Sequence, residues 1–171
     1  IGKIYSNSIL FGDDGPGAWN LEYGREFDMT NDSHLFLKRD KLITNGCQQD
    51  LYGRMISPEG DIFLPLYQGV MIWQFDYSAA GYVKGAGNRA EWREIGMLNK
   101  TIEPQFYVTN SDFTPKSKII IRSIQNATNM RTLISSIIPD YPCGNSLAVL
   151  VKNSPSKLLL LIGLLNSFPV D

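Results

Sequence analysis

"SKIIIRSIQ" (117–125), "TLISSIIP" (132–139) and "NSLAVLV" (145–151) decide how this chain folds. Each is a short run rich in Ile, Val or Leu, bounded by Asn, Pro or Gly, and each reads as a β-strand. "QFYVTN" (105–110) adds a fourth of the same kind. Directly after them, "SPSKLLLLIGLLNSF" (154–168) opens with a Ser-Pro start signal and predicts a helix of about three turns. Strands in succession followed by one strongly apolar helix predict an α+β fold: a mostly antiparallel sheet, a few helices, and an apolar C-terminal helix.

Working outward towards the N-terminus, "DIFLPLY" (61–67) and "VMIWQFD" (70–76) predict a hairpin turning at Gln68-Gly69. In its second strand Met71, Trp73 and Phe75 share one face, which assigns the aromatic side chains to the core. "AEWREIGMLNK" (90–100) predicts a short helix ending near Asn99. "WNLEYGREF" (19–27) alternates as a strand with Gly24 at a candidate bulge, and "TNDSHLF" (30–36) offers several caps for a short element. "KIYSNSILFG" (3–12) has strand content, and "DDGPG" (13–17) is a strong turn signal.

The 171 residues, 43% hydrophobic and 19% charged, suit one ordered domain with a core of its own. Ile1 in place of Met, and an end at Asp171 directly after "LLNSFPV", set the expectation that residues 1–171 are a fragment of a larger protein. Two cysteines, Cys47 and Cys143, without repeating spacing, form no disulfide framework, so the expected setting is cytoplasmic. "KLLLLIGLL" (157–165) is too short to span a bilayer, which removes a membrane from the expected partners.

Motif chemistry is sparse. One histidine, His34, and two distant cysteines lack the spacing of a metal site, and His34 reads as structural in its capped turn. "GAGNRA" (85–90) meets a loose glycine-rich dinucleotide pattern but lacks the strand before it and the long helix after it, so it reads as a loop carrying cations. The chain alone is therefore expected to be non-catalytic and to hold no cofactor or metal.

Charge is uneven. Residues 1–83 carry six Lys/Arg and eleven Asp/Glu, whereas 84–131 carry eight against four. A basic block in a chain of net charge −1 points to an anionic partner on one face.

"PLYQGVMIWQFD" (65–76) resembles the "PLYEGKMIHQFDHR" segment of large bacterial N6-adenine DNA methyltransferases of restriction–modification systems, including fused type IIG enzymes. "GDDGPGAWNLEYGREFDMTNDSHLF" (12–36) is similar to their "GDGPGTWN…REFDMTNDSHLF", and "IRSIQNATNMRTLISSIIP" (121–139) to their "R.ITRATDERTLIASIIP". "GNSLAVLV" (144–151) and "GLLNSF" (163–168) follow in the same order. Departures occur at Gln68 for Glu, Val70 for Lys, Trp73 for His, and Asp76-Tyr77-Ser78 for "DHR".

The resemblance implies a target recognition module that reads double-stranded DNA beside a methyltransferase domain of the same polypeptide. S-adenosylmethionine belongs to that other domain, since no N-P-P-Y-type tetrapeptide and no glycine-rich cofactor motif occurs in this sequence. DNA contacts are then expected from the basic block: Lys84, Arg89, Lys116 and Lys118 on phosphates, Gln125 and Asn126 on adenine, Arg93 on guanine, with Arg122 and Arg131 nearby. Two other readings suit the same sequence. One is an assembly module holding a catalytic domain against a partner protein; the other, less suited to the ordered motifs, is a sugar-binding β-domain with an exposed Trp.

Overall fold

The computed structural model describes residues 17–124, 130–151 and 155–167; the expected strand at 3–12 and all but Gly17 of the expected turn at 13–17 lie outside them. The fold is α+β, with antiparallel sheets and two α-helices among these residues. Eleven strands run in chain order: β1 (Glu22–Gly24), β2 (Leu37–Lys38), β3 (Gln48–Gln49), β4 (Met55–Ile56), β5 (Ile62–Pro65), β6 (Ala80–Lys84), β7 (Glu91–Glu94), β8 (Phe106–Thr109), β9 (Lys118–Arg122), β10 (Ser135–Ile137) and β11 (Leu147–Val151). The helices are α1 (Arg39–Thr44) and α2 (Pro155–Leu165).

One sheet has the order β1-β11-β9-β10. Ile119, Ile120 and Ile121 pair with Leu150, Val149 and Ala148 on β11, so successive side chains leave on opposite faces. Ile119 packs with Leu158, Leu161, Ile162 and Leu165 of α2, while Ile120 enters the main core. Burial on both faces explains why this strand reads as an unbroken Ile run instead of an alternation.

The second sheet has the order β2-β8-β5-β4-β3. Leu64 and Val108, opposite each other, face Ile120, Leu147 and Val149 of the first sheet in one shared cluster. Met55 and Tyr107 face the other way, onto Leu42 of α1 and Cys47. Helix–sheet contact on one side and sheet–sheet contact on the other thus account for both sheets. The 142–144 segment ties them together: Tyr67 N–H donates to Pro142 O at 2.8 Å, Gly144 N–H to Tyr67 O at 2.9 Å, and Phe27 N–H to Cys143 O at 3.1 Å.

Three local expectations give way. The 70–76 segment is no strand: Gly69–Met71 is a 3₁₀ turn, and Trp73 and Asp76 close a tight turn in which Phe75 has φ 57°. Phe75 N–H and the Gln74 amide instead bind Ser135 O and Leu133 O, beside β10. As a result Trp73 and Phe75 point outward, 37% and 62% exposed, and are not core residues. The expected helix at 90–100 is β7, which pairs with β6 as a separate two-stranded ribbon. Gly24 makes no bulge, since β1 keeps regular register with β11.

Cys47 and Cys143 are buried free thiols, and burial pushes the Cys143 thiol up to about 12. Among the described residues no helix is long and apolar enough to cross a membrane, and no cluster of His, Cys, Asp and Glu could hold a metal ion. His34 is exposed within the 3₁₀ turn Ser33–Leu35. The carboxylate of Asp28 organises the chain before that turn, accepting from Thr30 and Asn31 N–H at 2.9 Å each.

Candidate nucleic-acid interface

β6 and β7 form a ribbon held against the body along β6 as far as Gly85, whose carbonyl accepts from Gln105 Nε2 at 3.4 Å, and the tip beyond it is exposed. At the base, Tyr82 N–H donates to Glu103 O (2.8 Å), Ile95 N–H donates to Ala79 O (2.9 Å), and the Tyr82 and Trp92 rings meet edge-on at 5.6 Å. Gly85 at φ 90° and Gly87 at φ 54° adopt backbone that favours glycine, allowing the chain to reverse through the short 3₁₀ turn Gly87–Arg89. Residues 83–89 are all exposed. The glycine-rich stretch therefore turns an antiparallel ribbon and not a βαβ unit, so the dinucleotide pattern has no structural basis.

Lys84 and Arg89 stand on this tip. Lys84 faces Glu91 at 3.5 Å, with both side chains more than half exposed, an ion pair that water and salt weaken readily. Arg93 sits lower on the ribbon and is bound to Glu103 at 2.5 Å, as a residue of β7 and not of a helix. Beside β7 opens a groove of about 490 Å³ lined by Trp73, Trp92, Met97, Arg93 and Arg122 among others. Trp73, which the alternation assigned to the core, thus lines an open cleft next to the ribbon.

Other expected contacts are held inside the fold. Lys118 is 1% exposed, with its ammonium 2.7 Å from both carboxylate oxygens of Glu26 and 4.8 Å above the Phe113 ring. It cannot reach a phosphate, because the β9 register turns it inward, so it leaves the candidate interface. Arg122 donates through Nε to Gly69 O (2.6 Å) and through Nη2 to Ile72 O (2.6 Å) and Val70 O (3.3 Å), and stacks on Trp73 at 5.0 Å. Burial lowers its pKa from the ordinary guanidinium value. Its role is to gather the carbonyls of the 69–72 turn. Arg131 donates to Asn166 O at 2.8 Å, fastening the chain before β10 to the end of α2.

Lys116 is exposed but opens onto a different groove, of about 530 Å³, where Glu22, Glu26, Asp32 and Asp112 outnumber it and Arg25. Gln125 and Asn126 lie outside the described residues. The basic block thus reduces at its surface to Lys84, Arg89 and Arg93 on the ribbon, and Lys116 apart from them. Sequence reasoning missed Lys38 and Arg39, which share a small polar pocket with Tyr82 and Gly85 of the ribbon; both come from the acidic half of the chain.

No family model, curated protein or solved structure matches this chain.

Proposed function

We propose that this chain is a sequence-specific double-stranded DNA recognition module, part of a bacterial N6-adenine DNA methyltransferase or restriction–modification enzyme. The observation that carries the reading is the exposed β6–β7 ribbon with cations at its tip. A two-stranded ribbon fits the width of the major groove, where base edges can be read. Lys84 and Arg89 would then approach phosphates at the groove walls, with Arg93 nearer the bases once it exchanges Glu103 for a guanine edge. The assignment to adenine methylation rests on the sequence resemblance. In it, methyl transfer and S-adenosylmethionine belong to a catalytic domain elsewhere in the same polypeptide, and this chain supplies the address.

Selection from a pool of randomised duplexes tests the reading. The chain is expected to enrich one short site containing adenine, and Lys84→Ala/Arg89→Ala to lose that enrichment. Recovery of an unenriched pool would overturn it.

One observation favours assembly as a second reading. Val70, Trp73 and Met97 are exposed around the ribbon-side groove, and Leu159, Leu160 and Leu164 are exposed on α2. Apolar surface of this kind suits contact with another protein body. Binding to a protein partner that is insensitive to salt, without duplex binding, would support assembly over recognition.

A further inference from the structure

Among the described residues, two that are not glycine have positive φ: Asn20 at 48° and Phe75 at 57°. Asparagine is at home there, because its short polar side chain tolerates left-handed backbone, whereas a bulky ring is a genuine outlier. The tight turn needs left-handed backbone at position 75, but Gly or Asn would supply it at lower cost. Burial does not offset the difference, since Phe75 is 62% exposed. Strain of this kind persists only where the surroundings fix it, and it gathers where a residue is presented to something outside.

Here the surroundings do fix it. Trp73 N–H donates to Asp76 O at 2.9 Å and Asp76 N–H to Trp73 O at 3.1 Å, which closes the turn. Phe75 N–H reaches Ser135 O, and the Gln74 amide reaches Leu133 O, each at 3.2 Å. The Asp76 carboxylate accepts from Lys100 Nζ at 2.6 Å and from Ser78 N–H at 2.9 Å, so its charge is met inside the fold. Arg122 holds the carbonyls just before the turn and stacks on Trp73. Phe75 thus stands outward on a fastened turn, and Trp73 of that turn shares the 490 Å³ groove with Trp92 and Arg93 of the ribbon.

We propose that Phe75 is an apolar wedge that enters a base step of the duplex engaged by the ribbon. This rests on the recognition reading. Apolar side chains inserted between base pairs unstack them locally, and a flat ring without polar atoms can stack on the face of any base. The fastened turn spares the ordering cost of presenting the ring at the moment of binding. Lys84 and Arg89 would supply attraction that salt weakens, and Phe75 contact that it does not. A step that unstacks easily would be favoured, which adds sequence preference without a hydrogen bond to a base edge.

The test uses the 171-residue chain with Phe75→Asn, which suits left-handed backbone, and Phe75→Tyr, which keeps the ring. Urea melts read stability, and fluorescence anisotropy reads affinity for two short duplexes alike except for one central mismatch. Phe75→Asn is expected to keep or raise the urea midpoint, and to bind the matched duplex about tenfold more weakly with an unchanged salt slope. It should also lose the wild-type preference for the mismatched duplex, while Phe75→Tyr keeps both properties. If duplex binds and Phe75→Asn changes neither affinity nor mismatch preference, the wedge is overturned while recognition stands. A midpoint lowered by more than about 0.5 M would make Phe75 a packing residue and overturn the wedge as well. If the wild-type chain binds neither duplex, the wedge falls together with the recognition reading.

Discussion

Replacing Lys118 by Met separates its structural role from a DNA contact. The ammonium lies 2.7 Å from both oxygens of Glu26, and Glu26 Oε2 also accepts the Cys143 N–H at 2.9 Å. Lys118→Met therefore leaves a largely enclosed carboxylate with one backbone donor and no counter-charge. Breaking a buried pair from one side costs about 3–5 kcal/mol, and the 18% exposure of the Glu26 side chain places this case at about 3 kcal/mol. With a urea slope of about 2 kcal/mol/M, the unfolding midpoint should fall by about 1.5 M. Lys118→Met/Glu26→Gln removes both charges and keeps an acceptor for Cys143, so it should recover to within about 1 kcal/mol of the parent. Urea melts followed by tryptophan fluorescence read both numbers. The double variant should also keep the wild-type dependence of duplex affinity on salt. A midpoint shift below about 0.5 M for the single variant, or no recovery in the double, would refute the buried-pair reasoning.

Gly85→Ala should cripple the ribbon alone: at φ 90° its Cβ would clash with Arg89 O, so duplex binding falls while hydrogen exchange in β9 and β11 is unchanged. Arg122→Met should cost about 2–3 kcal/mol, since charged hydrogen bonds to the 69–72 carbonyls are lost, and should alter tryptophan emission as Trp73 loses its stacked partner. Burial raises the Cys143 thiol from 9.0 to about 12, so the unfolded chain binds fewer protons than the native one between those values. Its contribution to stability is therefore full below pH 9.0 and lost as pH rises toward 12, which urea melts at stepped pH will show. At neutral pH the same thiol should react with a disulfide reagent only as fast as the protein opens.

How much of this was legible in the sequence follows from where each residue's partners lie. β8, β9 and β11 could be read because each is a continuous apolar run between breakers, buried on both faces or nearly so. α2 could be read for a similar reason: Leu158, Leu161, Ile162 and Leu165 recur at helical spacing and all pack on Ile119. The 70–76 segment misled because its alternation is real but its carbonyls are taken by Arg122, some fifty residues later. Within 91–94, the alternation of Trp92 between Glu91 and Arg93 was itself a strand signal, outweighed in reading by the helix-forming Glu and Arg. At the site, Lys84, Arg89 and Arg93 were legible as a cationic glycine-rich loop. Lys118 was not, because Glu26 lies 92 positions away. Lys38 and Arg39 were hidden because they stand in the acidic half of the chain, and only the fold brings them beside Tyr82 and Gly85.

The most direct test of duplex recognition by the ribbon compares the salt dependence of duplex affinity for the wild-type chain and Lys84→Ala/Arg89→Ala. The account predicts binding that weakens steeply with salt, and a slope shallower by about 1.8 in the variant, since each lost phosphate contact contributes about 0.9. A duplex affinity that salt does not weaken, or a variant whose slope equals that of the parent, would contradict it.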